Sequence, residues 1–125
     1  MSVMKRKKKI VVTGGTGRFG SVLKKSKFNY QMFFPNKNKL NITKFKSIKK
    51  YLIKIKPFCL IHLAGLSRPM KIHEKKISKS IELNILGTAN IVRACEMLKI
   101  KLIYFFLTPS FHFLFLPLLN LILLY

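Results

Sequence analysis

The chain has 125 residues, enough for one domain with a real core and too few for two. Half of the residues are hydrophobic, which excludes disorder throughout. The formal net charge is +22, from 25 Lys and Arg against three acids, Glu74, Glu82 and Glu96, with no Asp. Such a balance favours anionic ligands and raises the question of nucleic acid. Yet the lysines are scattered, Lys outnumbers Arg 21 to 4, and Ile, Phe and Asn are frequent, a mixture that matches translation of AT-rich DNA. Without a basic motif interleaved with aromatics, no nucleic-acid partner is expected. Cys59 and Cys95 lie far apart in apolar stretches with no CxxC, as small buried hydrophobes of a reducing compartment do, so a cytoplasmic location is expected.

Residues 1–9 read as a basic, solvated tail. The apolar run after it, Ile10 to Val12, is too short for a signal-peptide core. Ile10-Val11-Val12-Thr13 is β-branched and predicts a buried strand. A glycine loop follows, and then Phe19, Val22 and Leu23 recur at helical spacing up to about Lys27. Tyr30 to Phe34 predicts a second strand, stopped by Pro35, and Asn36 to Asn41 is polar and loop-like. Thr43 is placed to cap a helix in which Phe45, Ile48, Leu52 and Ile55 share one face, and Pro57 ends it.

Phe58 to His62 predicts the next buried strand, and Leu63 to Met70 a loop with Gly65 and Pro69. A long helix is expected from about Glu74 to Leu98, with Ile77, Ile81, Ile85, Thr88, Val92 and Cys95 as its buried stripe. Lys101 to Phe105 is a further strand. Strands alternating with helices imply right-handed crossovers and an α/β parallel sheet with helices on both faces.

From Leu102 to Tyr125 the pattern breaks: no charge remains except on His112 when it is protonated, and Pro109 and Pro117 interrupt the run. A membrane span needs about 20 apolar residues. Two readings stay open for the apolar tail, residues 106–125: a reading-frame slip near position 106, or a genuine membrane tail. Membrane contact is expected only through residues 102–125.

Thr13-Gly14-Gly15-Thr16-Gly17-Arg18-Phe19-Gly20 fits Gly-x-Gly-x-x-Gly and, in overlap, Thr-Gly-x-x-Gly-x-x-Gly. It follows a buried strand and opens a helix, the context that gives such a pattern meaning. One glycine permits the tight turn, another lets a pyrophosphate approach the backbone, and the third lets helix and strand pack closely. The helix N-terminus then offers free N–H groups and partial positive charge to the phosphates. Residues 10–105 are therefore expected to form a Rossmann-type, doubly wound dinucleotide-binding domain, truncated and followed by the apolar tail. The acidic residue usual about 20 positions on, which holds a ribose 2′-hydroxyl, is missing, since the second strand runs into Phe34-Pro35-Asn36-Lys37. Arg18 and Lys37 either face a 2′-phosphate or belong to the lysine-rich background. NADP is the expected cofactor, with NAD the alternative.

These residues resemble the extended short-chain dehydrogenase/reductase family over about residues 10 to 105. The Thr-Gly-x-x-Gly-x-x-Gly loop is similar to the family's cofactor motif. Leu40-Asn41-Ile42-Thr43 resembles its adenine-side turn, with Asn41 in place of the usual Asp. His62-Leu63-Ala64-Gly65 resembles the cofactor-side motif after the fourth strand, and Asn84-Ile85-Leu86-Gly87-Thr88 the Asn-x-x-Gly-Thr signature of the next helix. The resemblance implies that Gly14, Gly17, Arg18, Phe19, Gly20, Asn41, Ile42, Leu63, Ala64, Gly65 and Asn84 line the cofactor. Within the group the chain looks most like dTDP-4-dehydrorhamnose reductases and related sugar-nucleotide epimerases and dehydratases. The signs are the short second-strand loop, Asn-Ile-Thr before a helix, and Lys56-Pro57 before the next strand. This implies NAD(P)-dependent oxidoreductase or epimerase chemistry on a nucleotide-sugar substrate.

His62 reads as a packed strand-end residue, His73 as a loop residue, and Asn84 as either a backbone-bonded helix residue or a site residue. No His/Cys cluster has metal-ligand spacing. The family uses a Ser, then a Tyr with a Lys four positions on. This chain has no Tyr-x-x-x-Lys: Tyr51 is followed by Lys54 and Tyr104 by Thr108. No catalytic residue is therefore assigned, and the expected function is an NAD(P)-binding fragment of such an oxidoreductase. A non-catalytic NAD(P)-binding module, or a membrane-attached protein on this fold, is the alternative. The oligomeric state is not legible.

Overall fold

The computed structural model describes residues 6–65 and 75–104. Nine elements follow one another there: β1 (Lys9–Thr13), α1 (Arg18–Lys25), β2 (Gln31–Phe33), α2 (Phe45–Ile55), β3 (Cys59–His62), α3 (Ile77–Ile81), a π-helical segment (Glu82–Leu86), α4 (Gly87–Met97) and β4 (Lys101–Tyr104). The strands pair in parallel in the order β2-β1-β3-β4. The expected α/β Rossmann-type sheet is what forms.

Side chains alternate across a strand, so β1 sends Val11 to one face of the sheet and Ile10 and Val12 to the other. On the first face Val11, Leu60 and Leu102 meet Ile48 and Leu52 of α2 and Ile91, Ala94 and Cys95 of α4. Each fully buried Ile or Leu there contributes on the order of 1.5–3 kcal/mol. The second face, with Ile10, Val12 and Cys59, is packed by Leu23 of α1 and by half-buried residues of the strands themselves. Most of the core among the described residues thus lies under α2 and α4.

Three expectations are corrected. Thr43 does not cap α2: the N-cap is Lys44, without a side-chain hydrogen bond. Instead the Thr43 N–H and hydroxyl donate to Asn41 Oδ1, at 3.0 and 2.8 Å, so Asn41 closes the turn before the helix. In α1, Val22 does not share the core face with Leu23; it is exposed, and Gly20 is the buried residue.

The third correction concerns the long helix. It runs from Ile77 to Met97, and the Glu74 end of the expected range lies outside the described residues. Ile77, Ile81 and Ile85 are exposed, while Gly87, Ile91, Ala94 and Cys95 face the core. Part of the cause is the π-helical segment, in which the Gly87 N–H donates to Glu82 O, five residues back; the core face of α4 itself is also turned away from the expected Thr88 and Val92. That extra residue per turn rotates everything before it relative to α4, and a stripe counted at 3.6 residues loses phase. A smaller difference is at an edge, where β2 omits Tyr30 and Phe34, and the Phe105 end of the last expected strand lies outside the described residues. The tail, residues 106–125, His73 and His112 lie outside the described residues. No helix among the described residues is long and apolar enough to cross a membrane.

Candidate functional site

From β1 the chain moves outward to β2, then returns across β1 to β3. The C-terminal ends of β1 and β3 therefore flank the point where the winding reverses, the crevice where open α/β sheets receive ligands. Thr13 pairs with His62 and His62 with Tyr104, so these three residues stand abreast at that end of the sheet.

The glycine loop fills the crevice. Gly14 has φ +76°, and a Cβ there would lie 2.6 Å from Ala64 N and Leu63 C. Both the backbone conformation and the approach of the chain after β3 exclude a side chain. Gly20, in the first turn of α1, would drive a Cβ to 2.6 Å from Gly15 Cα and into the Gly14 carbonyl. Gly17 differs: the nearest atom to a Cβ there is Gly14 O, at 3.4 Å. Two glycines close the loop onto helix and sheet, and the third leaves an open side. Gly17 is also the N-cap of α1 and makes no side-chain cap hydrogen bond. Arg18 and Phe19 are exposed.

The other expected residues gather at the same end of the sheet. Leu63 N–H donates to Thr13 O at 3.1 Å, which locks the Leu63-Ala64-Gly65 turn beside the glycine loop. Asn84 sits in the π-helical segment, and its Oδ1 lies 2.9 Å from where a Gly65 Cβ would stand. The absence of a side chain at Gly65 is what admits the Asn84 carboxamide. Asn41 is half-buried, with Oδ1 engaged by Thr43 and its N–H donating to Ser47 Oγ at 3.0 Å. Ile42 is buried, packs against Gly87, and its carbonyl accepts from Asn90 Nδ2 at 3.0 Å. Lys37 is exposed in the turn after β2, which leaves the sheet at the same end as the glycine loop.

A buried network beneath the loop was not legible as a unit. His62 is fully buried, with Nδ1 2.7 Å from Thr13 Oγ1 and Nε2 3.0 Å from Thr88 Oγ1. One ring nitrogen donates and the other accepts, which suits the neutral ring. Burial pushes its pKa down to about 4. Tyr104 stacks on the ring with centroids 5.4 Å apart. The sequence signals were separate: Thr13 opens the glycine motif, His62 opens the His-Leu-Ala-Gly stretch and Thr88 ends the Asn-x-x-Gly-Thr stretch, with nothing to join the three. Burial pushes the Cys95 thiol up to about 12 with help from Cys59, and raises the Cys59 thiol despite Lys101 nearby, so neither is a ready nucleophile. Among the described residues no cluster of His, Cys, Asp and Glu is placed to hold a metal ion.

The family described as the RmlD substrate binding domain matches residues 8–107. The chain belongs to this family. The RmlD-family assignment agrees with solved structures of the same fold. The dTDP-4-dehydrorhamnose reductase of Bacillus anthracis str. Ames, in complex with NADP, superimposes with TM-score 0.74 at 24% identity, over 80% of this chain and 36% of that one. The dTDP-4-dehydrorhamnose reductase of Yersinia enterocolitica gives TM-score 0.65 at 29% identity, over 78% and 34%. A GDP-L-fucose synthetase of Naegleria fowleri bound to NADP gives 0.63 at 25%, over 81% and 31%. The chain spans about a third of the length of these proteins. No curated protein matches it.

Proposed function

We propose that residues 10–105 form the NADP(H)-binding front portion of a sugar-nucleotide reductase of the dTDP-4-dehydrorhamnose reductase kind. The observation that carries this reading is the glycine loop at the sheet's reversal point, shut by Gly14 and Gly20 and open at Gly17. A pyrophosphate fits a cradle of that form, because backbone N–H groups and a helix N-terminus meet it without an intervening side chain. Membership of the RmlD family and the NADP complexes among its structural relatives support the cofactor class.

In this reading the backbone at Gly14, Gly17, Arg18, Phe19 and Gly20 holds the phosphates. Asn41 and Ile42 flank the adenine side, and Leu63, Ala64, Gly65 and Asn84 the nicotinamide side. The bound nicotinamide supplies a hydride to a carbonyl of the substrate. The chain's own part is to bind and orient. The two buried free cysteines suit a reducing, cytoplasmic setting.

With no acid after β2, and with exposed Arg18 and Lys37 at the same end of the sheet, NADPH binds more tightly than NADH. Two solvent-screened cation–phosphate contacts amount to roughly tenfold. Fluorescence titration with both cofactors measures the ratio, and equal affinities or a preference for NADH defeats the 2′-phosphate assignment.

Residues 1–125 by themselves show no cofactor-saturable turnover. Reduction of a carbonyl needs a positioned proton donor, worth roughly 10²–10⁴ in rate. Neither Tyr51 nor Tyr104 has a Lys four positions on. The assay is NADPH oxidation with a 4-keto sugar nucleotide. Measurable turnover would require an unconventional acid within this chain.

A further inference from the structure

His62 stands at the centre of a closed circuit of contacts that runs around the turn after β3. Its Nδ1 lies 2.7 Å from Thr13 Oγ1. That hydroxyl oxygen also accepts from the Ala64 N–H, at 3.4 Å. Ala64 N is 2.6 Å from where a Cβ of Gly14 would stand, so the Thr13 hydroxyl clamps the turn onto the glycine loop. On the other side of the ring, Nε2 lies 3.0 Å from Thr88 Oγ1 of α4. Thr88 follows Asn84 by four residues on the long helix, and Asn84 Oδ1 rests against Gly65. The circuit closes: His62, Thr13, the turn of residues 63–65, Asn84, Thr88 and His62 again. Tyr104 fixes the plane of the ring, with centroids 5.4 Å apart and planes 22° from parallel. One side chain thus ties β1, β3, β4 and α4 together beneath the glycine loop and the turn beside it.

An aliphatic side chain in this place would fill the volume without needing two hydrogen-bond partners. A buried polar network that is fully satisfied does more than fill space, because its bonds hold at one geometry and fix the groups they join. The ring is fully buried, so it reaches no ligand itself and can act only through its partners. We propose that His62 is a positioning residue for the dinucleotide site: through Thr13 and Thr88 it sets how the Leu63-Ala64-Gly65 turn and Asn84 stand against the glycine loop. This rests on the dinucleotide reading of that loop. In that reading the turn and Asn84 form the nicotinamide side, whereas the adenine side depends on the glycine loop, shut by Gly14 and Gly20, and on Asn41 and Ile42, which no bond of the circuit touches. His62 therefore acts on one half of the ligand. A turn held in place before binding spares the cost of ordering it when the nicotinamide arrives.

Two probes separate positioning from mere support: NADPH, and 2′,5′-ADP, which carries the adenine side of the ligand and no nicotinamide. The 125-residue chain is expected to bind both. Thr88→Val removes the hydroxyl at His62 Nε2 and keeps the shape of the side chain. It weakens NADPH binding about tenfold, the order of one lost buried hydrogen bond, and leaves 2′,5′-ADP binding unchanged. Thr88→Ser keeps the hydroxyl and with it the NADPH affinity. His62→Gln gives the same split between the probes as Thr88→Val. Should His62→Gln or Thr88→Val lose helix content by circular dichroism, Thr88→Ala is read in its place, and the same split is required. Equal weakening of both probes makes His62 a structural residue alone and overturns the proposal. So does unchanged NADPH affinity in Thr88→Val, or a Thr88→Ser variant as weak as Thr88→Val. A parent chain that binds neither probe overturns the dinucleotide reading and this proposal with it. A parent that binds both, with variants that show no split, overturns the positioning role alone.

Discussion

Replacing Gly17 by Val abolishes nucleotide binding and leaves the fold standing, whereas the same change at Gly20 breaks the fold itself. At Gly17 a Cβ meets only Gly14 O, at 3.4 Å, so valine finds room in the free protein. Its methyl groups then project into the open side of the loop, where a pyrophosphate has to contact the backbone. The expected loss in NADPH affinity is roughly 100-fold or more, equivalent to about 2.7 kcal/mol, with helix content and melting temperature little changed. At Gly20 the added carbon would sit 2.6 Å from Gly15 Cα and inside the reach of the Gly14 carbonyl, against backbone that cannot swing aside. Overpacking of that kind costs about 3 kcal/mol or more, a large share of the stability of a small domain. Thermal melts and cofactor titrations of the two variants separate the outcomes. Unchanged affinity in the Gly17 variant removes the main support for a dinucleotide site.

Acid destabilises the protein through His62. An exposed imidazole titrates near 6.5, whereas burial holds this ring's pKa down to about 4. Between those values the unfolded chain takes up a proton that the folded chain refuses. The contribution is fully present above pH 6.5, falls as the pH drops toward 4, and flattens below it. A shift of that size corresponds to about 3 kcal/mol. Of the chain's three glutamates, Glu82 and Glu96 are exposed. Urea denaturation at a series of pH values measures the slope. His62→Gln lowers stability at neutral pH, because the contacts to Thr13 and Thr88 are disturbed, and it also flattens the dependence between pH 6.5 and 4. An unchanged slope in that variant would falsify the assignment to His62.

The glycine loop was legible because its requirement is local. Gly14 needs a positive φ, and the spacing from Gly14 to Gly20 is one turn into a helix that begins at Arg18. The strands were legible to within a residue or two because β-branched runs such as Ile10 to Val12 suit a pleated, two-sided burial. The phase of the long helix was not, since no residue in Glu82 to Leu86 announces an i→i−5 hydrogen bond. Counting at 3.6 residues per turn puts Ile77, Ile81 and Ile85 on the inside, and the π turn helps to put them on the outside. Thr43 misled for a related reason: Ser, Thr and Asn all compete for local backbone bonds, and here Asn41 won the turn that Thr43 was expected to make.

By itself, then, the amino-acid sequence determined the alternation of strands and helices, the position of the glycine loop and the family likeness. Each of these is written in short stretches whose preferences are set by neighbours in the chain. Only the tertiary structure decided which glycine is open and which two are packed, since that depends on how closely Leu63 and Ala64 of a distant strand approach Gly14. It alone joined Thr13, His62, Thr88 and Tyr104 into one buried cluster, because parallel register sets Thr13 beside His62 and His62 beside Tyr104 across gaps of some forty residues or more. And it alone turned an apparent core stripe outward, because the direction of a helix face is settled by hydrogen bonds along the whole helix and by the sheet it packs on, not by the spacing of its apolar residues.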